Sequence, residues 1–328
     1  MPVIKPAPIQ VFRKEPWRTG YTVADGVTQG MLGEWMGCRQ SMAYILDGWE
    51  TKGSVVGTAL GYGDMVHRAL AAHYRLGAKH PEVMTKVVNQ IVRAQVKSLS
   101  NKDDVEKLEY QGMRAEVCLS EYARYWGKDD KKRNWVQVEP VFDVNWHNFR
   151  LRGRIDAVFQ QGDPYWVLET KTSSRISEDT LGMWLAFALQ PLFYVTALPA
   201  HLASLPGFQG PSQVKKIVAA GSLYNIVRTP QVEGGKDRLI KHIRGSYQHY
   251  FKRFTLTYPK VSIASFEEQL HHKVHDFRQW AQGLQPTYKC EVSCMGMYNC
   301  GFIKACASDS MVGYARTRKL FRELEDEE

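Results

Sequence analysis

An alternation of polar and apolar residues near the middle of the chain limits its fold more than any other feature. Residues 149–159 alternate, polar turn residues follow at 160–164, and residues 165–168 form an apolar run. We therefore predict two adjoining β-strands joined as a hairpin. In the second strand Glu169 and Lys171 are two residues apart, so both side chains should point to one face of the sheet.

The predicted hairpin carries two carboxylates, Asp156 and Glu169, together with the ammonium group of Lys171. A hard cation such as Mg2+ takes oxygen ligands and keeps several waters, so two carboxylates and a backbone carbonyl can hold it beside a phosphate. A neighbouring lysine can stabilise charge on phosphate oxygens or orient the attacking water. An isolated E-x-K pattern is more often a structural ion pair, so this interpretation depends on the motifs around it.

Three further motifs accompany the hairpin. His67 ends the segment Gly-Tyr-Gly-Asp-Met-Val-His, Glu139 lies in an apolar run, and Gln190 and Tyr194 lie one helical turn apart. In order and spacing these motifs resemble those of the PD-(D/E)XK nucleases, specifically the branch related to the RecB nuclease domain. The resemblance extends over roughly residues 36–306.

The resemblance implies an α/β fold in which a central mixed β-sheet is flanked by helices, the restriction-endonuclease-like core, with a cysteine-bound metal lobe that joins the N- and C-terminal parts. It also implies a Mg2+- or Mn2+-dependent DNA exonuclease that hydrolyses phosphodiester bonds at DNA ends or in single strands during recombination or repair. The metal ligands that it implies are His67, Asp156, Glu169 and the carbonyl of Thr170. The other catalytic or accessory residues that it implies are Lys171, Gln190, Tyr194 and Glu139. Arg228, which follows an apolar run, is a candidate phosphate contact or an ordinary surface residue.

Two positions depart from the family pattern. Ile155 stands where the family name has a proline, a substitution common in the RecB-like branch that leaves the carboxylate in place. Pro191 follows Gln190 directly. Because proline has no backbone N–H, it predicts a kink or a break between two helical pieces at this point.

Four of the six cysteines crowd into one C-terminal segment with the spacing C-x3-C-x5-C-x5-C. Such crowding is typical of metal binding, and four thiolates suit either zinc or an iron–sulfur cluster. The resemblance favours a 4Fe-4S cluster, because many RecB-like exonucleases hold one with one N-terminal and three C-terminal cysteines. The ligands that it implies are Cys38, Cys294, Cys300 and Cys306. Cys290 remains an alternative ligand and Zn2+ an alternative metal, because the family's usual C-x2-C-x5-C spacing is not reproduced.

The charge of the chain fits a polyanionic partner. It has 328 residues and a formal net charge of +9, which favours attraction to a polyanion. Single-stranded DNA or duplex ends are the partner that the resemblance implies. No P-loop occurs, so we expect no nucleotide cofactor. Residues 181–213 contain no Asp, Glu, Lys or Arg, and we interpret them as a buried core helix and its continuation, without a membrane span. The N-terminus has no apolar leader, so we expect reduced thiols and a bacterial or phage-infected host cytoplasm.

We predict four segments: an N-terminal arm and helical lead-in carrying Cys38 (1–60), the nuclease core (61–285), a cysteine-rich segment (286–312) and a charged tail (313–328). Helical periodicity is predicted at 64–76, 82–99, 105–126, 236–254 and 262–283, and a further strand at 216–225. Recombination proteins are expected partners. Two alternatives stay open: a catalytically idle DNA-binding or adaptor protein on the same scaffold, and a zinc-stapled nuclease acting on RNA.

Overall fold

The computed structural model describes residues 15–51, 59–173, 178–208, 217–294, 300–317, 320, 321 and 324. The helices are α1 (Gln29–Gly37), α2 (Arg39–Leu46), α3 (Ala59–Arg75), α4 (Glu82–Val96), α5 (Lys102–Asp130), α6 (Glu178–Leu185), α7 (Leu189–Ser204), α8 (Lys236–Arg244), α9 (Tyr247–Tyr250), α10 (Lys260–Ala281), α11 (Glu291–Cys294) and α12 (Ile303–Ser308). The strands are β1 (Val27–Thr28), β2 (Trp49–Thr51), β3 (Asn134–Val138), β4 (Val141–Trp146), β5 (Phe149–Arg154), β6 (Ala157–Gln160), β7 (Tyr165–Ser173), β8 (Ala219–Arg228), β9 (Phe251–Thr257) and β10 (Tyr314–Arg316).

A five-stranded sheet with the order β3-β6-β7-β8-β9 carries the candidate site. β7 and β8 run parallel, and the other neighbouring pairs are antiparallel, so the sheet is mixed. β6 and β7 form the predicted hairpin, in which Ala157 pairs with Leu168 and Gln160 with Tyr165. β7 lies at the centre of the sheet, with two strands on either side.

Helices cover both faces of this sheet. On one face α3, α4, α5 and α8 share a core with Leu168 of β7 and Leu223 of β8. On the other face the junction of α6 and α7 packs against Tyr224 and Ile226 of β8. Successive side chains of a strand point to opposite faces, which explains why Leu223 and Tyr224 belong to different cores. The predicted α/β architecture, a central mixed sheet flanked by helices, is confirmed.

The chain divides into two compact units. Residues 54–141 and 154–260 form the unit that contains the five-stranded sheet, and residues 1–53, 142–153 and 261–328 form the other. In the second unit Trp35 packs edge-on against Phe277, with 5.7 Å between ring centroids. The four segments predicted from the sequence remain a prediction.

The alternating run at residues 149–159 is not one strand, and this part of the hairpin prediction is wrong. β5 ends and β6 begins on either side of Ile155 and Asp156. The backbone N–H of Ile155 donates to the carbonyl of Pro140 at 3.1 Å, and that of Glu139 donates to the carbonyl of Asp156 at 2.9 Å. The segment that links β3 to β4 is therefore hydrogen-bonded to the segment that links β5 to β6. At this point the strand predicted over residues 149–159 is interrupted.

The helix predicted at residues 236–254 is also wrong in its second half. α8 ends at Arg244, and residues 251–257 form β9, which pairs with β8 along the edge of the sheet. The other predicted helices correspond to α3, α4, α5 and α10, and the strand predicted at 216–225 is β8, shifted by three residues. Pro191 lies in the first turn of α7, where backbone N–H groups make no bond within the helix, so a proline is tolerated. The predicted break lies just before it, between the end of α6 at Leu185 and the start of α7 at Leu189.

Within the described part of the chain, the stretch Met183–Ser204 is long and apolar enough to cross a membrane by length and composition alone. About half of it, 56%, is buried inside the fold. Phe193 and Leu198 of α7 are completely enclosed by protein. The core helix of a soluble protein has the same properties, so this stretch does not assign the chain to a membrane.

Candidate active site

Asp156 lies at the break between β5 and β6, and two other elements fix its carboxylate. Its Oδ2 accepts a hydrogen bond of 2.6 Å from the backbone N–H of Thr170 in β7. Its Oδ1 lies 3.5 Å from Nδ1 of His67 in α3. The structure thus brings together three residues that are separated by up to about a hundred positions in the chain.

A glycine in α3 permits the close approach of this helix to β7. A Cβ atom added at Gly63 would lie 2.9 Å from Oγ1 of Thr172, closer than real Cβ contacts. Gly63 precedes His67 by four residues, so the two share a helix face. The missing side chain at Gly63 therefore sets the distance at which His67 reaches the sheet.

Glu169 and Lys171 point to the same face of β7, as the alternation predicts. Oε1 of Glu169 lies 2.5 Å from Nζ of Lys171, and the glutamate side chain is only 2% exposed. The second oxygen, Oε2, is buried without a hydrogen-bond partner. A buried carboxylate oxygen that lacks a partner is costly, and a bound cation would remove that cost. This orphaned oxygen shows that the residues present fit a cation.

Glu139 is held beside Asp156 by the backbone bond between the two links. Its φ of 55° places it in the left-handed region, which side chains other than glycine rarely adopt. Its Oε2 lies 3.8 Å from Nη1 of Arg154. Backbone strain of this kind concentrates at functional sites, and here it accompanies a third acidic side chain next to Asp156.

Burial and mutual repulsion of the carboxylates shape the ionisation of the site. Burial, followed by the charge of Asp156, raises the pKa of Glu169 to about 7 and that of Glu139 to about 7. Burial alone would lower the pKa of His67, but the charge and hydrogen bond of Asp156 outweigh it and raise that pKa to about 9. Acidic groups forced together in a desolvated place favour a divalent cation among them.

A series of buried side-chain hydrogen bonds begins at Thr170 of β7 and supports this residue. It was not predicted from the sequence. Nδ2 of Asn225 donates to Oγ1 of Thr170 at 3.3 Å, and Nε of Arg253 donates to Oδ1 of Asn225 at 3.1 Å. Nη2 of Arg253 in turn donates to Oδ2 of Asp130 at 2.8 Å. A single Asn inside the apolar run of β8 was the only local signal for this arrangement.

Gln190 and Tyr194 interact with each other on α7. Nε2 of Gln190 donates to the hydroxyl of Tyr194 at 3.2 Å, as their spacing of one turn predicts. α7 packs against both β7 and β8, the strands next to the carboxylates. Arg228 lies at the end of β8, where it pairs in register with Ser173 and its Nη1 is 3.1 Å from Nε2 of His249.

Five cysteines belong to the second unit, and three of them, Cys38, Cys290 and Cys300, act electrostatically on Cys294 or Cys306. Burial is the largest cause that raises the pKa of Cys294 and of Cys306, and the nearby thiols of Cys38 and Cys300 raise both further. Cys290 also acts on Cys294, and its own pKa is lowered by a hydrogen bond with the Ser293 hydroxyl. The donor set is therefore of the right chemistry for a cluster of soft ligands.

Cys118, the sixth cysteine, lies in the other unit and is completely buried.

Within the ranges that the structure describes, no three His, Cys, Asp or Glu side chains are arranged to hold a metal ion. In the carboxylate group Asp156 faces His67, while Glu169 faces Lys171. The predicted metal ligands and cluster ligands remain predictions.

A family model described as the PD-(D/E)XK nuclease superfamily matches residues 42–307. The match covers most of the chain and includes each carboxylate, histidine and lysine of the candidate site. Cys38 lies just before the matched range, and the four C-terminal cysteines lie within it. A comparison with curated proteins finds no match.

Proposed function

Because the chain belongs to the PD-(D/E)XK nuclease superfamily, we propose that it is a Mg2+- or Mn2+-dependent DNA exonuclease that acts at DNA ends or in single strands. One observation carries this proposal: His67, Asp156, Glu169 and Lys171 converge around Thr170, and one oxygen of Glu169 is buried without a partner. A role in cytoplasmic recombination or repair, beside recombination proteins, completes the proposal.

Asp156, Glu169, His67 and the carbonyl of Thr170 would hold the cation. When bound, Mg2+ or Mn2+ supplies an activated water and neutralises charge on the scissile phosphate. The Thr170 N–H keeps the Asp156 carboxylate oriented, and the ammonium of Lys171, 42% exposed, can stabilise charge that develops on phosphate oxygens. Gln190 and Tyr194 would frame the bound strand, with Glu139 as an accessory acid and Arg228 as an accessory phosphate contact.

Substitution of the buried glutamate tests the assignment directly. The purified wild type, Glu169→Ala and Lys171→Ala are incubated with labelled single-stranded and duplex DNA in Mg2+. We expect each variant to lose about 10²–10³-fold in cleavage rate, the scale reported for the loss of one electrostatic stabiliser. Glu106→Ala removes an exposed glutamate whose partner is Lys102, and it should cleave like the wild type. Unchanged cleavage by Glu169→Ala would refute the assignment.

Blocked ends separate exonuclease action from its alternatives. Substrates carry phosphorothioate linkages at the 5′ or the 3′ end of each strand in turn. Protection by one block identifies the end at which degradation begins, whereas cleavage that ignores every block indicates an endonuclease. Binding without any cleavage favours the catalytically idle adaptor. RNA competition tests the RNA-directed alternative, which requires that RNA displace DNA.

We propose further that Cys38, Cys294, Cys300 and Cys306 hold a 4Fe-4S cluster, since these thiols influence one another electrostatically. Anaerobically purified protein should be brown, absorb near ~400 nm and contain iron and sulfide. Colourless protein that contains zinc rejects the cluster.

Serine variants identify the ligands of this cluster. Cys38→Ser should lose the absorbance, whereas Cys118→Ala, in the other unit, should keep it. Cys290→Ser separates the two ligand sets, because loss of the absorbance in this variant makes Cys290 a ligand.

A further inference from the structure

Three large apolar side chains are exposed at the junction of α6 and α7. Met183 is 68% exposed, Trp184 58% and Phe187 83%. Their neighbours Leu185 and Ala188 are buried. Large aromatic rings are normally covered in a folded protein, and an exposed apolar group beside a site marks a binding surface. The junction is therefore anchored by two residues and presents two rings to solvent.

The anchoring residues place these rings on the face of the sheet that carries Glu169 and Lys171. Leu185 and Ala188 pack against Tyr224 and Ile226 of β8. In the parallel register of β7 and β8, Tyr224 pairs with Glu169 and Ile226 pairs with Lys171. Paired residues of neighbouring strands share a face.

The anchors of the two rings therefore rest on the residue of β8 that pairs with Glu169. Phe187 is also only three residues before Gln190.

The chemistry of this surface fits the faces of nucleic acid bases. The segment 181–213 itself carries no Asp, Glu, Lys or Arg, and Glu178 and Asp179 precede it in α6, so the exposed apolar side chains themselves offer phosphate no ionic contact. Aromatic side chains stack on bases of any sequence.

Other occupants fit less well. Interfacial membrane helices carry basic residues along their polar face, which this stretch lacks. Stable interfaces between protein copies bury roughly 20–30 residues a side, far more than three side chains. The continuity of the rings with the catalytic face favours a nucleic acid strand.

We propose that Trp184 and Phe187 stack on unpaired bases of the DNA strand that enters the site. The inference rests on the proposed nuclease function and names its substrate more closely: a single strand or the frayed end of a duplex. Bases inside a duplex are already stacked and paired, so their faces are not available to the two rings.

A strand without bases tests the stacking separately from phosphate binding. Fluorescence anisotropy is measured in EDTA, where cleavage stops, with labelled oligo-dT and with an abasic strand of equal length. Each stacked base contributes at least about fivefold to affinity, so the wild type should bind oligo-dT about 30-fold more tightly than the abasic strand.

Two matched double variants separate ring stacking from general apolarity. Trp184→Leu with Phe187→Leu keeps an apolar surface without rings, and it should lose about 30-fold on oligo-dT but nothing on the abasic strand. Trp184→Phe with Phe187→Tyr keeps both rings and should stay within about threefold of the wild type on either strand. Circular dichroism melts confirm that both variants are folded.

Equal binding of oligo-dT and the abasic strand by the wild type overturns the stacking, as does unchanged oligo-dT binding by the leucine variant. Wild-type partitioning onto phosphatidylcholine vesicles, with equal binding of both strands, assigns the surface to lipid instead. If DNA is cleaved in a Glu169-dependent way while both strands bind equally, only the stacking fails. A preference for oligo-dT without cleavage of any DNA retains the stacking and rejects the nuclease.

Discussion

The buried ion pair between Arg253 and Asp130 provides a quantitative test of the support behind the site. The Arg253 side chain is 5% exposed and that of Asp130 is fully buried, with Nη1 2.8 Å from Oδ1. Nη2 also donates to the Tyr122 hydroxyl at 2.6 Å, and the guanidinium lies 4.4 Å from the centre of the Trp126 ring. Replacement by methionine fills most of the volume but leaves the Asp130 carboxylate in the interior without this partner.

Loss of one member of a buried pair costs about 3–5 kcal/mol, mainly because the remaining charge is desolvated. Arg133 Nη1 remains 2.8 Å from Oδ1 of Asp130, so we expect Arg253→Met to lower the free energy of unfolding in urea by about 3 kcal/mol, the lower end of this range. Arg124→Met is the matched control, because Arg124 is 61% exposed and its Nε lies 3.5 Å from Glu121. Glu121 is buried but keeps its hydrogen bonds from Arg244 and Tyr247, so the exposed Arg124 should contribute only about 0–1 kcal/mol and this variant should unfold almost like the wild type.

A double variant distinguishes the stranded charge from a simple packing defect. Asp130→Asn removes the charge, so the double variant with Arg253→Met should be destabilised by less than the sum of the single variants, with a coupling of roughly 1–3 kcal/mol. A loss below about 1 kcal/mol for Arg253→Met, or strict additivity in the double variant, would refute the reasoning.

Three further predictions concern the carboxylates. First, Mg2+ binding should release about one proton at pH 7.5, because His67 with a pKa of about 9 is protonated before it becomes a ligand. Calorimetry in two buffers of different ionisation enthalpy measures this proton release. The variant His67→Asn should abolish most of it. Second, the raised pKa of Glu169, about 7, means that the folded state binds its proton more tightly than the unfolded chain does, so metal-free wild type should lose stability as pH rises from about 4.5 through 7. Glu169→Gln should show a smaller loss in thermal melts, and the part that remains belongs to Glu139, whose pKa is also raised to about 7. Third, Asn225→Leu removes the donor to Thr170 and should weaken Mg2+ activation, seen as a higher Mg2+ concentration at half-maximal cleavage; an unchanged value would show that Thr170 needs no such support.

Local patterns predicted the hairpin but not the interruption within it. The alternation through residues 149–159 correctly assigns extended backbone to β5 and β6. The two-residue spacing of Glu169 and Lys171 correctly places both side chains on one face of β7. The break at Asp156 depends on hydrogen bonds with the Glu139–Pro140 link, about sixteen residues earlier, and no local periodicity encodes such a partner. The break between β5 and β6 orients the Asp156 carboxylate, and the alternating pattern does not reveal this break.

Residues 251–257 show the same limit at the edge of the sheet. A helical pattern was predicted to continue to residue 254, yet β9 forms because the edge of β8 offers it backbone partners. Tertiary pairing overrides local propensity in such cases. The polar chain from Asn225 to Arg253 escaped prediction for a related reason, since its members meet only when β8 and β9 are paired.

The central place of β7 has a consequence for how the protein should fail on heating. Glu169, Thr170 and Lys171 belong to a strand with neighbours on both sides, so they cannot become disordered while the sheet persists. Regions of this kind open only with the whole domain, unlike mobile lids, which open at small cost. The loss of activity on heating and the unfolding of this unit should therefore follow one curve, without an intermediate that is folded but inactive.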